Sequence, residues 1–308
     1  MLMLRSSLLL LCVALSAVAV PSSGEDQRGD VAAAESVYQA KDWAKATRLY
    51  EQLANSHPKS GIYWYRLGVS LEATGKHQAA LEALAKSQAA GTPSFMVGFS
   101  RASVYASMGE LEKAIQELSE AVKQGFNDPD KMLTDTNLQP LRSDARFPAL
   151  LEQVKRNQKP CFYSAENRQF DFWVGDWDVV ATADSVPRGS SHIARELADC
   201  VIWENWTSLT TGYAGKSYNV YNPDRKRWEQ FWVDNNGGMI HFYGGLKDGN
   251  MDYWTDEIPQ PDGTRLKRHL QFFNLGPDRV RQFSQGSTDG GKSWQVEYDF
   301  TYLRKKGP

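Results

Sequence analysis

The sequence predicts a multi-domain protein of the α plus all-β class, in which an N-terminal α-solenoid precedes an antiparallel up-and-down β-barrel. Over residues 31 to about 125, apolar residues recur at helical spacing and the pattern repeats every 34 residues. From Gln169 onward the period changes to two, which is typical of strands. Short turns rich in Asn, Asp and Gly separate those strand-like runs, as in β-hairpins. A chain of 308 residues is long enough for two such domains.

The first residues, MLMLRSSLLLLCVALSAVAV, have the composition of a secretory signal peptide. Arg5 supplies the positive charge, Ser7 to Ser16 is mostly apolar, and Ala17-Val18-Ala19 fits a cleavage site. The apolar run is shorter than the roughly 20 residues that a spanning helix needs, which argues against the alternative of an uncleaved membrane anchor. We therefore expect a signal peptide over residues 1–19, a flexible mature N-terminus over residues 20–30, and an exported protein, periplasmic or secreted, without a membrane span.

Cleavage of that segment would remove one of the three cysteines, Cys12, and leave Cys161 and Cys200. An exported protein meets an oxidising compartment, where an even pair of cysteines tends to form a disulfide. Such a bond would close a loop of about 40 residues and contribute roughly 3–4 kcal/mol to stability. The alternative is a pair of buried free thiols. We predict the disulfide.

The helical region carries small and large residues at fixed positions of the repeat. The positions that follow the 34-residue period are Ala46, Ala80 and Ala114 for the small residue, and Tyr50, Leu84 and Leu118 for the large one. The segment YWYRLGVSLEATGKHQAALEALAKS resembles the tetratricopeptide (TPR) repeat family, with Trp64, Leu67, Gly68 and Gly75 at positions that the family pattern occupies. That resemblance implies a stack of helix pairs whose concave face binds an unknown protein or peptide. The alternative is a helical spacer or a dimerisation module.

The end of the helical region and the start of the second domain follow from the sequence between them. Phe147 to Lys155 predicts a last amphipathic helix that caps the stack, so that the helical repeats span residues 31–158. The stretch from Lys155 to Pro160 is polar and ends in proline, which is typical of a linker. Residues 165–305 then contain about nine or ten strand-like runs. An open meander of that length would expose unpaired edges, so we expect the sheet to close into a barrel.

The sequence Gly175-Asp176-Trp177 stands at the head of the first predicted strand, and the last strand, YDFTYLRKK, contains Arg304. Together these resemble the calycin group, which includes the lipocalins and the fatty-acid-binding proteins. Residues 165–305 as a whole resemble an uncharacterised bacterial calycin-like family that opens with a similar FDFWVG-W segment. The resemblance implies a calycin-like, lipocalin-like barrel plugged at one end by Trp177, with Arg304 over the indole ring. It brings no activity with it.

Neither the aspartates of FDFWVGDWDV nor the histidines form a recognisable catalytic or metal-binding pattern. Asp171, Asp176 and Asp178 alternate with apolar residues, so we expect them to face solvent or cap turns. The chain contains no helix-borne H-E-x-x-H and no G-x-S-x-G motif. No two histidines have the spacing of metal ligands: His57, His77, His192, His241 and His269. We therefore assign no catalytic residue, metal or cofactor.

Polar groups interleave with rings on single faces of several predicted strands, which favours a cavity for a partly polar ligand. The alternative is that this face lies outside the barrel, because a one-residue slip in register exchanges the two faces. The residues predicted for the ligand pocket are Glu204, Ser217, Asn219, Tyr221, Trp228, Gln230, Trp232, His241, Tyr243, Arg268 and Gln282.

The sequence favours an exported binding protein, in which the repeats bind a protein and the barrel binds a small, partly apolar, lipophilic ligand. One alternative is an enzyme with acid–base chemistry in the barrel cavity, with Glu204 or His241 as the proton-handling group. A second alternative is a purely structural adaptor. The net charge of −2 and the 23% content of charged residues give no electrostatic support for a nucleic-acid partner.

Overall fold

A computed structural model describes residues 23–306, with side chains from Arg28 onward. The predicted signal peptide, residues 1–19, lies outside the described residues. The described chain packs as two units: the first holds the chain up to Gln124 together with residues 136–141, and the second holds residues 125–135 and everything from Arg142 onward.

The first unit contains three helix pairs within the described residues. Each pair consists of two neighbouring helices joined by a short turn. The helices are α1 Ser23–Gln39, α2 Trp43–Ser56, α3 Gly61–Ala73, α4 His77–Ala89, α5 Ser94–Ser107 and α6 Leu111–Lys123. The sequence predicted a flexible segment over residues 20–30, but the backbone from residue 23 to residue 30 is helical. These residues extend α1 at its N-terminus, and each residue added to an existing helix gains one backbone hydrogen bond.

The repeated positions form the seam of this unit. Ala46, Ala80 and Ala114 are completely buried. At the second repeated position, Leu84 is also completely buried, and it lies so close to α3 that a Cβ added at Gly68 would stand 2.8 Å from its Cγ. Small residues therefore set the approach of paired helices, as the 34-residue period predicted.

The turns inside the helix pairs share one backbone conformation. Gly75 and Gly109 have φ angles of +76° and +77°, which glycine adopts without a steric penalty. Lys41 stands at the corresponding position of the first pair and has a φ angle of +58°. The first repeat thus makes the same left-handed turn with a side chain that disfavours it.

Residues 136–141 pack onto the first unit. Asn137 Nδ2 donates to the carboxylate of Glu72 in α3 and, at 3.1 Å, to Ser103 Oγ in α5. Leu138 and Leu141 are buried. Part of the surface formed by α3 and α5 is therefore already covered by the chain's own segment.

The second unit begins with three short helices, α7 Pro129–Thr134, α8 Phe147–Gln158 and α9 Pro160–Tyr163. The helix predicted to cap the repeats, α8, belongs to this unit. It packs beside α7, and Asn157 Nδ2 donates to the Phe126 carbonyl at 2.9 Å. Amphipathic spacing identified the helix, but it carries no information about which neighbour the apolar face contacts.

The predicted disulfide is confirmed. Cys161 in α9 bonds to Cys200, with a Cα–Cα distance of 4.9 Å. Within the described residues, none of the helices is both long and apolar enough to cross a bilayer.

Ten antiparallel strands of the second unit close into a barrel. Neighbours in the sequence are neighbours in the sheet, and β11 returns to pair with β1. The two-residue β8 adds to the side of β9 only. The strands are β1 Gly175–Ala181, β2 Pro187–Glu196, β3 Val201–Ser208, β4 Ala214–Asn222, β5 Arg227–Asp234, β6 Met239–Lys247, β7 Asn250–Trp254, β8 Ile258–Pro259, β9 Arg265–Asn274, β10 Arg279–Ser287 and β11 Gln295–Arg304.

A cluster of aromatic rings fills one end of the barrel. Trp177 is completely buried, its Nε1 donates to the Trp173 carbonyl at 2.8 Å, and the Arg304 guanidinium carbon lies 4.2 Å from the centroid of its ring. Gly175 has a φ angle of +145°, and a Cβ there would stand 2.0 Å from Arg304 Nη1. Glycine at this position therefore makes room for the cation above the indole.

Candidate functional site

The barrel contains a partly open cavity of about 430 Å³ beyond the aromatic cluster. Its walls are mostly apolar or aromatic, with a small number of polar groups that converge on the interior. Cavities of this size and lining are typical of small-molecule sites. Alternation along each strand places these side chains, because every second residue of a barrel strand points inward.

Five of the eleven predicted pocket residues line this cavity. They come from β3, β5, β9 and β10, so strands that are distant in sequence contribute to one wall. They are Glu204, Gln230, Trp232, Arg268 and Gln282.

Two further predicted residues, Ser217 and Asn219, are completely buried and hold the polar wall in place. Ser217 Oγ donates to Glu204 Oε2 at 3.0 Å, and it accepts a hydrogen bond from Asn219 Nδ2, also at 3.0 Å. Gln230 Nε2 donates to Asn219 Oδ1 at 2.9 Å. The two residues therefore orient Glu204 and Gln230 from β4, without lining the cavity themselves.

Tyr221 and Trp228 belong to the aromatic end of the barrel, with ring centroids 6.2 Å apart. Trp228 is almost completely buried, and its Nε1 donates to Gln169 Oε1 at 3.1 Å. Both rings point into the barrel, as the cavity residues of β5 do. They lie in the aromatic cluster at the filled end of the barrel, and they do not line the cavity.

His241 and Tyr243 lie on the outer face of the barrel, which corrects their placement in the predicted pocket. The His241 ring stacks on Phe231 at 4.4 Å between centroids, and its Nε2 lies 3.0 Å from Glu229 Oε2. Tyr243 donates to Asp256 at 2.7 Å. The strand MIHFYGGL has rings on both faces, and its Phe242 is the one that points inward, so alternation alone could not choose the face.

Sequence reasoning missed a row of rings on the last strand. Tyr298, Phe300 and Tyr302 line the cavity. They stand six, four and two residues before Arg304, so they share its face of the strand. Because Arg304 was predicted to point at the Trp177 plug, the same alternation could have identified all three.

Glu297 also lines the cavity, although strict alternation with Tyr298 would turn it outward. The pairing of β10 with β11 shifts register between Ser284 and Gln285, which is a β-bulge that redirects one side chain. Glu297 then pairs with Arg268 at 2.8 Å and accepts from Ser284 Oγ at 2.8 Å. No signal in the sequence marks this bulge.

The most unusual group of the cavity is the carboxyl of Glu204, which is only 1% exposed. It accepts hydrogen bonds from Ser191 Oγ at 2.9 Å and from Ser217. Tyr302 Oη lies 3.2 Å away, and its one proton is shared between Glu204 and Gln282 Oε1, which is nearer at 2.6 Å. Removal from water disfavours the charged form and raises the pKa of the Glu204 carboxyl to about 7, although the three hydroxyl donors act in the opposite direction. The group can therefore gain or lose a proton near neutral pH.

The three aspartates of the FDFWVGDWDV segment each lie beside a basic side chain. Asp171 pairs with Arg195 at 2.9 Å, and Asp176 lies 2.7 Å from His192. Asp178 is exposed and lies 3.5 Å from Lys305. Within the part of the chain that the structure describes, no group of three or more His, Cys, Asp or Glu side chains could hold a metal ion.

Residues 27–94 match a tetratricopeptide repeat family, which confirms the repeat resemblance for that part of the chain. No curated protein matches the chain.

Three solved structures show weak similarity. The CopN–Scc3 complex is 21% identical, with 43% of this chain and 82% of that chain covered and a TM-score of 0.33. The Yersinia enterocolitica type III secretion translocator chaperone SycD is 18% identical over 46% and 98%, with a TM-score of 0.32. The S-type phycobiliprotein lyase CPES from Guillardia theta is 13% identical over 49% and 98%, also at 0.32. At these TM-scores, none of the three bears on function.

Proposed function

We propose that this protein is an exported binding protein, in which a calycin-like barrel binds a small, partly apolar ligand and the helical repeats bind a protein segment. The cavity of about 430 Å³ carries the proposal, because it combines aromatic walls with the buried polar groups of Glu204, Gln230 and Gln282. Such a combination gives a ligand both apolar contact area and a fixed orientation. The Trp177–Arg304 plug supports the calycin-like assignment.

The ligand claim is tested by thermal-shift screening of the full chain against small lipophilic compounds. Two adjacent positions of β6 provide a matched pair of variants. Ile240 lines the cavity, whereas Met239 is 75% exposed. We expect Ile240→Trp to abolish the stabilisation given by any hit, and Met239→Trp to preserve it. If no compound stabilises the wild type, the barrel is better explained as the rigid part of a structural adaptor.

The repeats support the protein-binding part of the proposal. Tetratricopeptide stacks bury a shared seam and leave one face for a partner segment. The surface near Glu72 and Ser103 already holds residues 136–141, so we assign the partner to the side formed by α1 and α3, where Arg66 lies 4.2 Å from the Tyr38 ring. A photo-crosslinking residue at Ile62 of α3, which is 46% exposed and one turn before Arg66, should capture the partner, and the same residue at Glu82 of α4 should not.

Export is supported by the Cys161–Cys200 disulfide, since such bonds persist in oxidising compartments. Fractionation of cells that express the full chain, with mass spectrometry of the mature N-terminus, tests it. We expect a processed protein outside the cytoplasm that begins close to residue 20. An unprocessed cytoplasmic protein with two free thiols would contradict export.

Acid–base catalysis is a second candidate, favoured by one observation: a buried carboxyl with a pKa of about 7 faces a cavity. That value suits a general acid or base at neutral pH. Incubating a cavity ligand with the wild-type protein and with Glu204→Gln distinguishes the two functions. Recovery of the unchanged compound from both proteins supports binding alone, whereas conversion by the wild type only supports catalysis.

A further inference from the structure

We infer that the ligand of the barrel carries one cationic amine, which pairs with the carboxylate of Glu204. The inference rests on the proposed ligand-binding function and adds the chemical class of the ligand. Four observations support the inference. They are the absence of a cationic partner for Glu204 among the described residues, the charge balance of the cavity wall, the aromatic rings of the cavity, and the negative charge at the edge of the cavity.

Glu204 is a buried acid without a cationic partner among the described residues. Its hydrogen-bond donors are the hydroxyls of Ser191, Ser217 and Tyr302. Buried carboxylates are normally paired with a cation, because removal of a charge from water is costly. A ligand that brings a positive charge into the cavity would supply the partner that the protein does not.

The charges on the cavity wall point the same way. Arg268 is the cation among the described wall residues, and Glu297 holds it at 2.8 Å. Arg268 and Glu297 neutralise each other, so ionised Glu204 leaves the wall with a net charge of −1. A monovalent cation restores neutrality, whereas an anionic ligand would double the unbalanced charge.

Aromatic rings line the same cavity as Glu204. Trp206, Tyr213, Trp232, Tyr298 and Phe300 line the cavity. Ring faces attract ammonium groups, and this attraction increases when the cation is removed from water. The same rings offer apolar contact to the body of the ligand, so the fitting class is a compact hydrophobic amine.

The edge of the cavity adds a further negative charge. Asp234 accepts hydrogen bonds from Tyr213 Oη at 3.0 Å and from Trp232 Nε1 at 3.4 Å, and both donors line the cavity. A carboxylate in this position favours the approach of cations over anions.

The pH dependence of binding follows from the groups that face Glu204. Burial raises the pKa of Glu204 to about 7 and also raises the pKa of Tyr298 and Tyr302, so both phenols stay neutral between about pH 5 and about pH 8. Arg268 and Glu297 are bonded to each other, and the pKa of Tyr213 is raised as well. Amine affinity should therefore increase from about pH 5 to about pH 8, as Glu204 loses its proton.

Three compounds of matched shape test the inference by calorimetric titration of the full chain: phenethylamine, phenethyl alcohol and hydrocinnamate. At about pH 8 we expect the wild type to bind the amine at least about tenfold more tightly than the alcohol, and to bind hydrocinnamate weakest. Glu204→Gln keeps the size of the side chain and should remove the preference for the amine. The comparison within the wild type does not depend on the variant being folded.

The outcomes separate the inference from the function on which it rests. If phenethyl alcohol or hydrocinnamate binds as tightly as the amine, or if the preference survives in a folded Glu204→Gln, the cation inference is wrong and ligand binding stands. If none of the three binds, and no compound of a wider lipophilic set binds either, both the inference and the proposed barrel function are wrong.

Discussion

The helical unit and the barrel bury polar groups in different ways. Among the described residues of the helices, the buried polar side chains are hydroxyls. Thr47 donates to the Trp43 carbonyl one turn earlier at 2.8 Å, and Ser87 donates to the Gly61 carbonyl of the neighbouring helix, also at 2.8 Å. In the barrel, Glu204 accepts from hydroxyls of other strands. Asn219 of β4 accepts from Gln230 of β5 and donates to the Ile202 carbonyl of β3. The helical unit thus buries hydroxyls that each need one acceptor, whereas the barrel buries an acid and amides whose partners must come from several strands.

This difference distinguishes a packing interface in the helical unit from a candidate ligand site in the barrel. A hydroxyl that bonds to its own helix adds little beyond packing. A carboxylate held by hydroxyls from three strands costs free energy to bury and faces an open cavity, which packing alone does not explain. The repeated seam of the helices specifies architecture, and the unrepeated interior of the barrel specifies a site.

Removing the plug tests whether the closed end supports the barrel. Trp177→Ala should lower the free energy of unfolding of the barrel by about 3–5 kcal/mol, because it empties a completely buried ring position. Urea denaturation followed by circular dichroism measures it. Trp203→Ala, at a partly exposed site beside Lys216, is the control and should cost much less. Equal losses would mean that the plug is no more important than a surface ring.

The buried carboxyl predicts an unusual pH dependence of stability. The ordinary pKa of Glu204 is 4.5, and in the folded protein it is about 7, so the folded state keeps a proton that the unfolded chain has lost. The associated stability is present below about pH 4.5 and is lost as the pH rises through about 7. Between about pH 5 and about pH 8, the free energy of unfolding of the wild type should therefore fall by about 2–3 kcal/mol more than that of Glu204→Gln.

Urea denaturation of both proteins across that range makes the measurement. The comparison contains its own control, since at about pH 4 both proteins carry a neutral side chain at residue 204. Parallel stability curves for the two proteins would contradict the raised pKa of Glu204.

The helical seam should respond to volume alone. Gly68→Ala places a Cβ 2.8 Å from Leu84 Cγ and 2.9 Å from its Cδ2, so we expect a loss of about 1–3 kcal/mol. Gly29→Ala introduces the same methyl group into α1, where nothing lies within 4 Å, and should be neutral or slightly stabilising. Thermal denaturation of the pair compares them. A tolerated Gly68→Ala would show that the helices can move apart.

The smallest effect concerns the first turn of the stack. Lys41→Gly should raise the free energy of unfolding by about 1 kcal/mol, because lysine is disfavoured at a φ angle of +58° and glycine is not. Lys76, which follows Gly75, has a φ angle of −89°, so Lys76→Gly should give no such gain. A higher melting temperature for the first variant alone would confirm that the three turns are equivalent.

The parts of the molecule that repeat or alternate could be predicted from the sequence. The 34-residue period identified the buried Ala80 and Ala114, and alternation placed Gln230 and Trp232 on the same face of their strand. Features set by tertiary pairing could not be predicted in this way. These are the outward face of His241 on a strand with rings on both sides, the bulge that turns Glu297 inward, and the unit that α8 joins.

The disulfide has a consequence that extends beyond the two cysteines. Leu197, Ala198 and Asp199 all have positive φ angles, of 50°, 55° and 67°, which side chains disfavour by about 1–2 kcal/mol each. Cys200 follows directly and anchors this corner to α9. The corner joins β2 to β3, the strands that supply Ser191 and Glu204. The thiol–disulfide balance of the surrounding medium therefore sets whether the corner between the two strands behind the interior carboxylate is held covalently to α9.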